Sequence, residues 1–398
     1  MSVGVCIINR NGIALSADSA GTFTGNKMFY NSMDKVFSLS AIKPLGAITY
    51  GNTTIYHVSI DQILNEFSAY LENKEIDNFF DILNIFIDYI KEKNEYYKFE
   101  CRERELSCSL IKSLVVEWGN KIKKIVKEQN AKLKISILLD ELEKKINESL
   151  EIENYDVSDY VRKKYESYFD EIVNNVVPEL NEYKEEKGRF LSEISRCFNL
   201  SLDKEKKNHT GILFAGYGNK DAFPKYIHIE VYAVVNGQLK FSIVDKFEES
   251  SGMAQIVPLA QTEVIMTFCR GISDLFINYI PAKIDQIILQ KIEEMKNKDF
   301  SEAQLETIKK DFCECKQLIS AAINENAQNN YVAPLLESVT AIPIPEMAKL
   351  SENLVNITSL KRMFALDGNQ QTVGGPTDVA TISKTSGFVW VKRKHQNN

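Results

Sequence analysis

Strand-forming sequence sits at the two ends of this 398-residue chain, and the long stretch between them, from Ile60 to Phe198, is almost free of glycine and proline. That division narrows the possible folds more than any other feature. At the start, "SVGVCII" and "GIALSAD" flank "NRNG", whose Asn11-Gly12 favours a tight hairpin, and "KVFSLS" and "LGAITYG" flank "AIKP" as a second hairpin. Strand signals return at "GILFAGYG" (Gly211–Gly218), at "KYIHIEVYAVVNGQLKFSIVDKF" with a turn at Asn236-Gly237, and at "DVATISKTSGFVWVKRK" (Asp378–Lys394) around Ser386-Gly387. Between these lie helical patterns. "FFDILNIFIDYIKEK" and "ISILLDELEKKINESL" carry apolar residues three and four apart, and further helices are expected over Gln255–Lys298, Ser301–Ser338 and Pro345–Leu366. Strands at both ends with helices between them predict sheets that meet in the middle and carry helices outside, an α+β arrangement. No Pro/Gly/Ser linker sets off the helical block, so the chain reads as one domain, 1–398, with residues 60–198 as a helical insertion.

Composition removes several functions. A hydrophobic content of 44% with 26% charged residues is globular, and a net charge of −7 argues against a protein built to hold nucleic acid or an anionic membrane. The basic run "KIKKIVK" (Lys121–Lys127) is flanked by acids and reads as a solvated helix face. No run approaches the roughly 18 apolar residues of a membrane span, and the start lacks the pattern of a signal peptide, so a cytoplasmic location is expected. The seven cysteines are scattered; Cys313-Glu-Cys315 has no second pair or histidine nearby and is a poor metal site. The four histidines are equally dispersed, and neither a GxxxxGK[ST] nor a GxGxxG loop is present. Neither a metal nor a cofactor is expected.

The first hairpin gathers chemistry at one end. With Asn11-Gly12 as the turn, Ser2 falls opposite Gly21; with Arg10-Asn11, it falls opposite Ser19. Both registers bring Asp18 near the terminus. In the second hairpin a turn at Ile42-Lys43 places Lys35 opposite Tyr50 and beside Gly51. Once Met1 is removed, the α-amine of Ser2 titrates just above neutrality and can act as base for the Ser2 hydroxyl. A lysine nearby lowers the pKa of both groups, an aspartate holds that lysine, and the Gly51 N–H can meet an oxyanion.

"GIALSADSAGT", followed by "DKVFSLS" and "LGAITYGN", resembles the opening of proteasome β-type subunits and of the bacterial proteasome-related proteases, members of the N-terminal-nucleophile (Ntn) hydrolases. "LFAGYG", "ESSGMA" and "GGPTDVATISKTSGFVWV" resemble later elements of that family in the same order, and the matching motifs cover about a third of the chain. The resemblance implies a four-layer αββα sandwich. It implies Ser2 as nucleophile, with Asp18, Lys35, Gly51 as oxyanion donor and Ser251 in support. The Ser2–Asp18 interval matches the family's, and Ser2–Lys35 is one residue longer. Where the family carries an Asp and a Ser before the closing glycines, this chain has Gln370 and Val373. The helical block has no counterpart of that length.

Two readings follow. The first is an amide or peptide hydrolase, enclosed in a homo-oligomeric ring that keeps folded proteins from its site; the second is a non-catalytic member kept for ring assembly or partner binding. The helices of Gln255–Lys298 and Pro345–Leu366 offer apolar faces for ring contacts. The insertion is expected to pack on one sheet and to offer a surface for assembly or a regulatory partner, unless its stripes only pack on one another.

Overall fold

The computed structural model describes residues 2–23, 28–149, 156–204, 209–248, 253–296, 300–364 and 374–394. The chain opens with strands β1 (Val3–Asn9), β2 (Gly12–Asp18), β3 (Gly21–Phe23), β4 (Met28–Tyr30), β5 (Val36–Ser38), β6 (Leu45–Gly51), β7 (Thr54–Ile55) and β8 (Val58–Ser59). Helices α1 (Ile60–Leu71), α2 (Asp81–Glu92), α3 (Phe99–Ile125), α4 (Ala131–Ser149), α5 (Ser158–Lys164), α6 (Glu166–Val176) and α7 (Lys184–Lys204) follow. Next come β9 (Thr210–Gly216), β10 (Lys225–Val235), β11 (Gln238–Glu248) and β12 (Gln255–Ala260). The last part holds α8 (Glu263–Arg270), α9 (Asp274–Lys296), α10 (Glu302–Ala327), α11 (Ala333–Ala341), α12 (Ile344–Met363), β13 (Thr377–Ser383) and β14 (Gly387–Lys392). The fold is mixed α and β with antiparallel strand pairing. It divides into two compact units: Met1–Tyr50, Ala215–Lys225 and Phe247–Asn398 form one, Gly51–Phe214 and Tyr226–Lys246 the other.

The first unit is organised by a five-stranded sheet in the order β12-β1-β2-β13-β14. β1 and β2 are buried along their whole length, so both of their faces need cover. Val3, Val5 and Ile7 alternate onto one face and meet Met347, Ala348, Leu354 and Val355 of α12. On the opposite face a Cβ at Gly4 would come within 2.8 Å of Ile48, and one at Gly46 within 2.9 Å of Ile382 and Phe388, so the β5–β6 hairpin lies close against the sheet. Burial there pushes the Cys6 thiol well above its ordinary range, which keeps it inert.

Three strand details differ from the sequence reading or decide between its alternatives. Asn9 pairs with Gly12, so the first turn is Arg10-Asn11. The buried Asn9 amide is anchored to the Val339 and Ile342 carbonyls at 2.8 and 3.0 Å, and its oxygen accepts from Asn11 N at 2.8 Å, which fixes the turn one residue early. In the second hairpin Val36 pairs with Ile48, and Thr49 N donates to Lys35 O at 2.8 Å, so Lys35 faces Thr49 rather than Tyr50. The loop is longer than a two-residue turn: Ser40 Oγ accepts from the Ile42 and Lys43 N–H groups, and Pro44 has no N–H to extend the ladder. Residues 255–260, expected to start a helix, instead pair antiparallel with β1 from Gln255↔Ile8 to Ala260↔Val3. Pro258 is tolerated because β12 is an edge strand.

α9 and α10 are long and sparsely packed. Ile288 and Ile292 are the buried residues of α9, whereas Leu275, Phe276, Tyr279 and Leu289 are exposed. α10 starts at a capping box, with Ser301 Oγ accepting from Gln304 N and Gln304 Oε1 from Ser301 N.

In the second unit the apolar stripes of α3 to α7 pack chiefly on one another, joined by Ala233 and Val235 of β10. α1 and α2 set Phe67 and Phe86 against Phe214 of β9, with ring centroids 5.0 to 6.2 Å apart. The buried Glu103 ties this unit together. Its carboxylate accepts from Tyr160 and Tyr165 hydroxyls at 2.9 and 3.0 Å, from Lys164 Nζ at 3.2 Å, and from Asn236 N at 2.9 Å in the β10–β11 turn. Glu103→Gln removes a charge that several donors share and is expected to cost about 2 kcal/mol in urea unfolding; an unchanged midpoint would contradict this.

Two hairpin turns here use positive φ at both central residues, as right-handed strand twist requires. Asn236-Gly237 does so with φ of 55° and 67°. Tyr56-His57, between β7 and β8, does so with φ of 48° and 70° and without a glycine, at roughly 1–2 kcal/mol per residue. A cavity of about 230 Å³ lies against that hairpin, lined by Leu106, Thr210, Val231 and Tyr232 among others.

His228 is buried on β10, and burial holds its imidazole down at about 4 despite Glu230 and Asp245, with His209 adding to the depression. The unfolded chain therefore binds a proton at pH 4 to 6.5 that the folded chain refuses. Its contribution is intact above pH 6.5 and is lost as pH falls towards 4, about 3 kcal/mol in all. His228→Gln is expected to flatten that limb of the pH–stability curve; a curve identical to the parent's would rule out His228 as its source.

Candidate active site

Three of the residues singled out in the sequence meet at one end of the first unit's sheet. Asp18 closes β2, and its carboxylate is fully buried. One oxygen accepts from Val3 N at 2.9 Å and from Lys35 Nζ at 2.5 Å, while the other accepts from Gly374 N at 3.1 Å. Ser2 is the residue whose carbonyl carbon is bonded to that Val3 nitrogen. It is buried, its own carbonyl accepts from Gln261 N at 3.2 Å, and the hairpin register continued past Gly4↔Ala17 sets it against Ser19.

Lys35 lies just before β5 with its side chain 7% exposed. Burial holds its ammonium below the ordinary lysine range; Asp18 pulls it back up, Lys394 pushes it further down and Asp378 opposes that push. A lysine so placed carries a positive field on a donor that water cannot screen. Ser19 is fully buried, and its hydroxyl has no hydrogen-bond partner among the described residues. Gly375, at φ 76°, passes so close that a Cβ there would sit 2.6 Å from Ser19 Oγ.

Gly51 ends β6 and opens the second unit, exposed and at φ 80°. A Cβ at this position would lie 2.5 Å from His209 O, which also accepts from Asn52 N at 3.0 Å, so backbone geometry alone demands glycine. Ser251, Gln370, Val373 and Met1 lie outside the described residues.

The sequence reading missed Gly374, Asp378 and Lys394. Gly374 belongs to the Gly-Gly pair already marked as a motif, but its N–H reaches Asp18 only because β13 pairs with β2, with Thr377 opposite Asp18. Lys394 closes a basic run at the end of the last strand, where lysines are ordinarily solvated, yet its side chain is 2% exposed. Among the described residues no group of three or more His, Cys, Asp or Glu side chains could hold a metal, and no helix is long and apolar enough to cross a membrane.

No family model matches the chain, and no curated protein matches it. Among solved structures, the Anbu (Gly-1) mutant from Hyphomicrobium sp. strain MC1 is 8% identical with a TM-score of 0.32, over 98% of this chain and 85% of that one. Anbu (ancestral beta-subunit) from Yersinia bercovieri is 8% identical with a TM-score of 0.31, over 99% of this chain and 88% of that one. Superpositions this loose assign no residue and no activity.

Proposed function

We propose that the chain is an Ntn-type amide or peptide hydrolase of proteasome-like αββα architecture, with residues 60–198 as an insertion and Ser2 as nucleophile. The observation that carries this reading is the Asp18 carboxylate shared between the Val3 N–H and the Lys35 ammonium, at 2.9 and 2.5 Å. Removal of Met1 frees the Ser2 amine. That amine takes the hydroxyl proton as Oγ attacks the substrate carbonyl, then passes it to the departing amine; water cleaves the resulting ester and restores both groups. Lys35 keeps the amine and hydroxyl easier to deprotonate, and Asp18 fixes Lys35. The roles of Gly51 and Ser251 rest on the family resemblance alone. Intact mass is expected to show loss of one methionine residue, and a peptide β-lactone is expected to acylate Ser2. A retained Met1, with no adduct at Ser2, would overturn the reading.

A scaffold reading has its own support, since three donors satisfy Asp18 without any substrate. The hydrolase reading includes a homo-oligomeric ring, and the scaffold reading includes one where the chain serves ring assembly and not partner binding. The exposed Leu275, Phe276, Tyr279 and Leu289 of α9 and Ile357, Leu360 and Met363 of α12 suit contacts between copies. Sedimentation showing a monomer that cleaves peptides would remove the ring from the proposal.

A further inference from the structure

Between β4 and β5 the chain has no ladder to hold it, although Lys35 must sit exactly over the Asp18 carboxylate from this segment. Three fastenings replace the ladder. Met33 N donates to Ser19 O at 3.0 Å, and Thr49 N donates to Lys35 O at 2.8 Å. The third comes from the far end of the chain: Lys394 Nζ donates to Met33 O at 2.6 Å and pairs with the Asp34 carboxylate at 2.6 Å. Lys394 is itself fixed to β13, because Asp378 takes its ammonium at 3.0 Å on one oxygen and its backbone N–H at 2.8 Å on the other. Lys394 and Asp378 are 2% and 3% exposed, whereas Asp34 is one-third exposed. Burying the Lys394 ammonium carries a desolvation cost that these ion pairs and hydrogen bonds have to offset.

We infer that Lys394 is a positioning residue for Lys35, clamping the Met33–Lys35 segment to β13 so that the Lys35 ammonium stays on Asp18. Its effect on turnover rests on the hydrolase reading above; its effect on Lys35 does not. Lys35 is faced by Asp18 from β2, Asp378 from β13 and Lys394 from the segment after β14. Removing the Lys394 cation takes away a repulsion, so Lys35 holds its proton to higher pH.

The test compares the full chain with Lys394→Met, Lys394→Arg and the double variant Lys394→Met/Asp378→Asn, which leaves no unpaired buried carboxylate on β13 if the single variant fails to fold. The Lys35 amine is titrated by NMR on 15N-lysine protein, and hydrolysis of a fluorogenic peptide is followed against pH. In Lys394→Met the Lys35 titration and the alkaline limb of kcat/KM are expected to move up by about one pH unit; the double variant loses a cation and an anion together, so its Lys35 titration is expected to stay near the parent's while the Lys35 ammonium, no longer held on Asp18, exchanges about tenfold faster with water. The value of kcat is expected to fall about tenfold with KM unchanged, and Lys394→Arg to restore it. An unmoved Lys35 titration in folded Lys394→Met, or a parental exchange rate of the Lys35 ammonium in the double variant, would overturn the inference. A moved titration, with no turnover in the parent or any variant, would leave the clamp standing and sink the hydrolase reading.

Discussion

Ser2→Ala is expected to cut peptide hydrolysis by at least about 10⁴-fold and to leave the unfolding midpoint where it was. The side chain lost is one hydroxyl, while the hydrogen bonds that fix this end of β1 are made by the backbone: Ser2 O to Gln261 N, and Val3 N to Asp18. Alanine preserves both. If the hydroxyl is the nucleophile, no neighbouring group replaces it, because the amine and Lys35 only move protons or supply a field. Turnover equal to the parent's would show that Ser2 does not carry the reaction, and a large drop in midpoint would recast the residue as structural.

Lys35→Met is expected to cost about 3–5 kcal/mol in stability, the largest effect of any single substitution at the site. Asp18 is fully buried, and two backbone N–H groups remain to solvate its charge when the ammonium is gone. The double variant Asp18→Asn/Lys35→Met removes both charges and is expected to recover most of the loss. Urea unfolding of the three proteins at pH 7 measures this directly; a Lys35→Met midpoint equal to the parent's would mean that Asp18 is not held as a buried anion.

The parts of the fold that could be read from the sequence are those fixed by local chemistry. Asn236-Gly237 turns β10 into β11 because those two residues accept positive φ, and the last hairpin closes around residues 384–386, with Gly387 at φ 66° opening β14 opposite Ser383. Val3, Val5 and Ile7 show the two-residue period that α12 covers. Elsewhere tertiary partners decided. β12 was hidden because six residues with a central proline form a strand only with β1 beside them. The first turn moved because Asn9 finds carbonyls at the C-terminal end of α11, and Lys35 shifted register because Ser40 gathers two N–H groups. At the site, Ser2, Asp18 and Lys35 were legible from spacing and resemblance. Gly374, Asp378 and Lys394 were not, since nothing local distinguishes a clamp lysine from a solvated one.

The bond from Gly374 N to Asp18 spans 356 residues of sequence. During synthesis the third donor to the first hairpin's buried carboxylate and the strand that pairs with β2 on its other edge appear only after all of the intervening chain has been made. Loop closure over that length carries an entropic cost that only the finished sheet offsets. The charge cluster around Asp18 thus stays one donor short until that distant segment has been synthesised and docked.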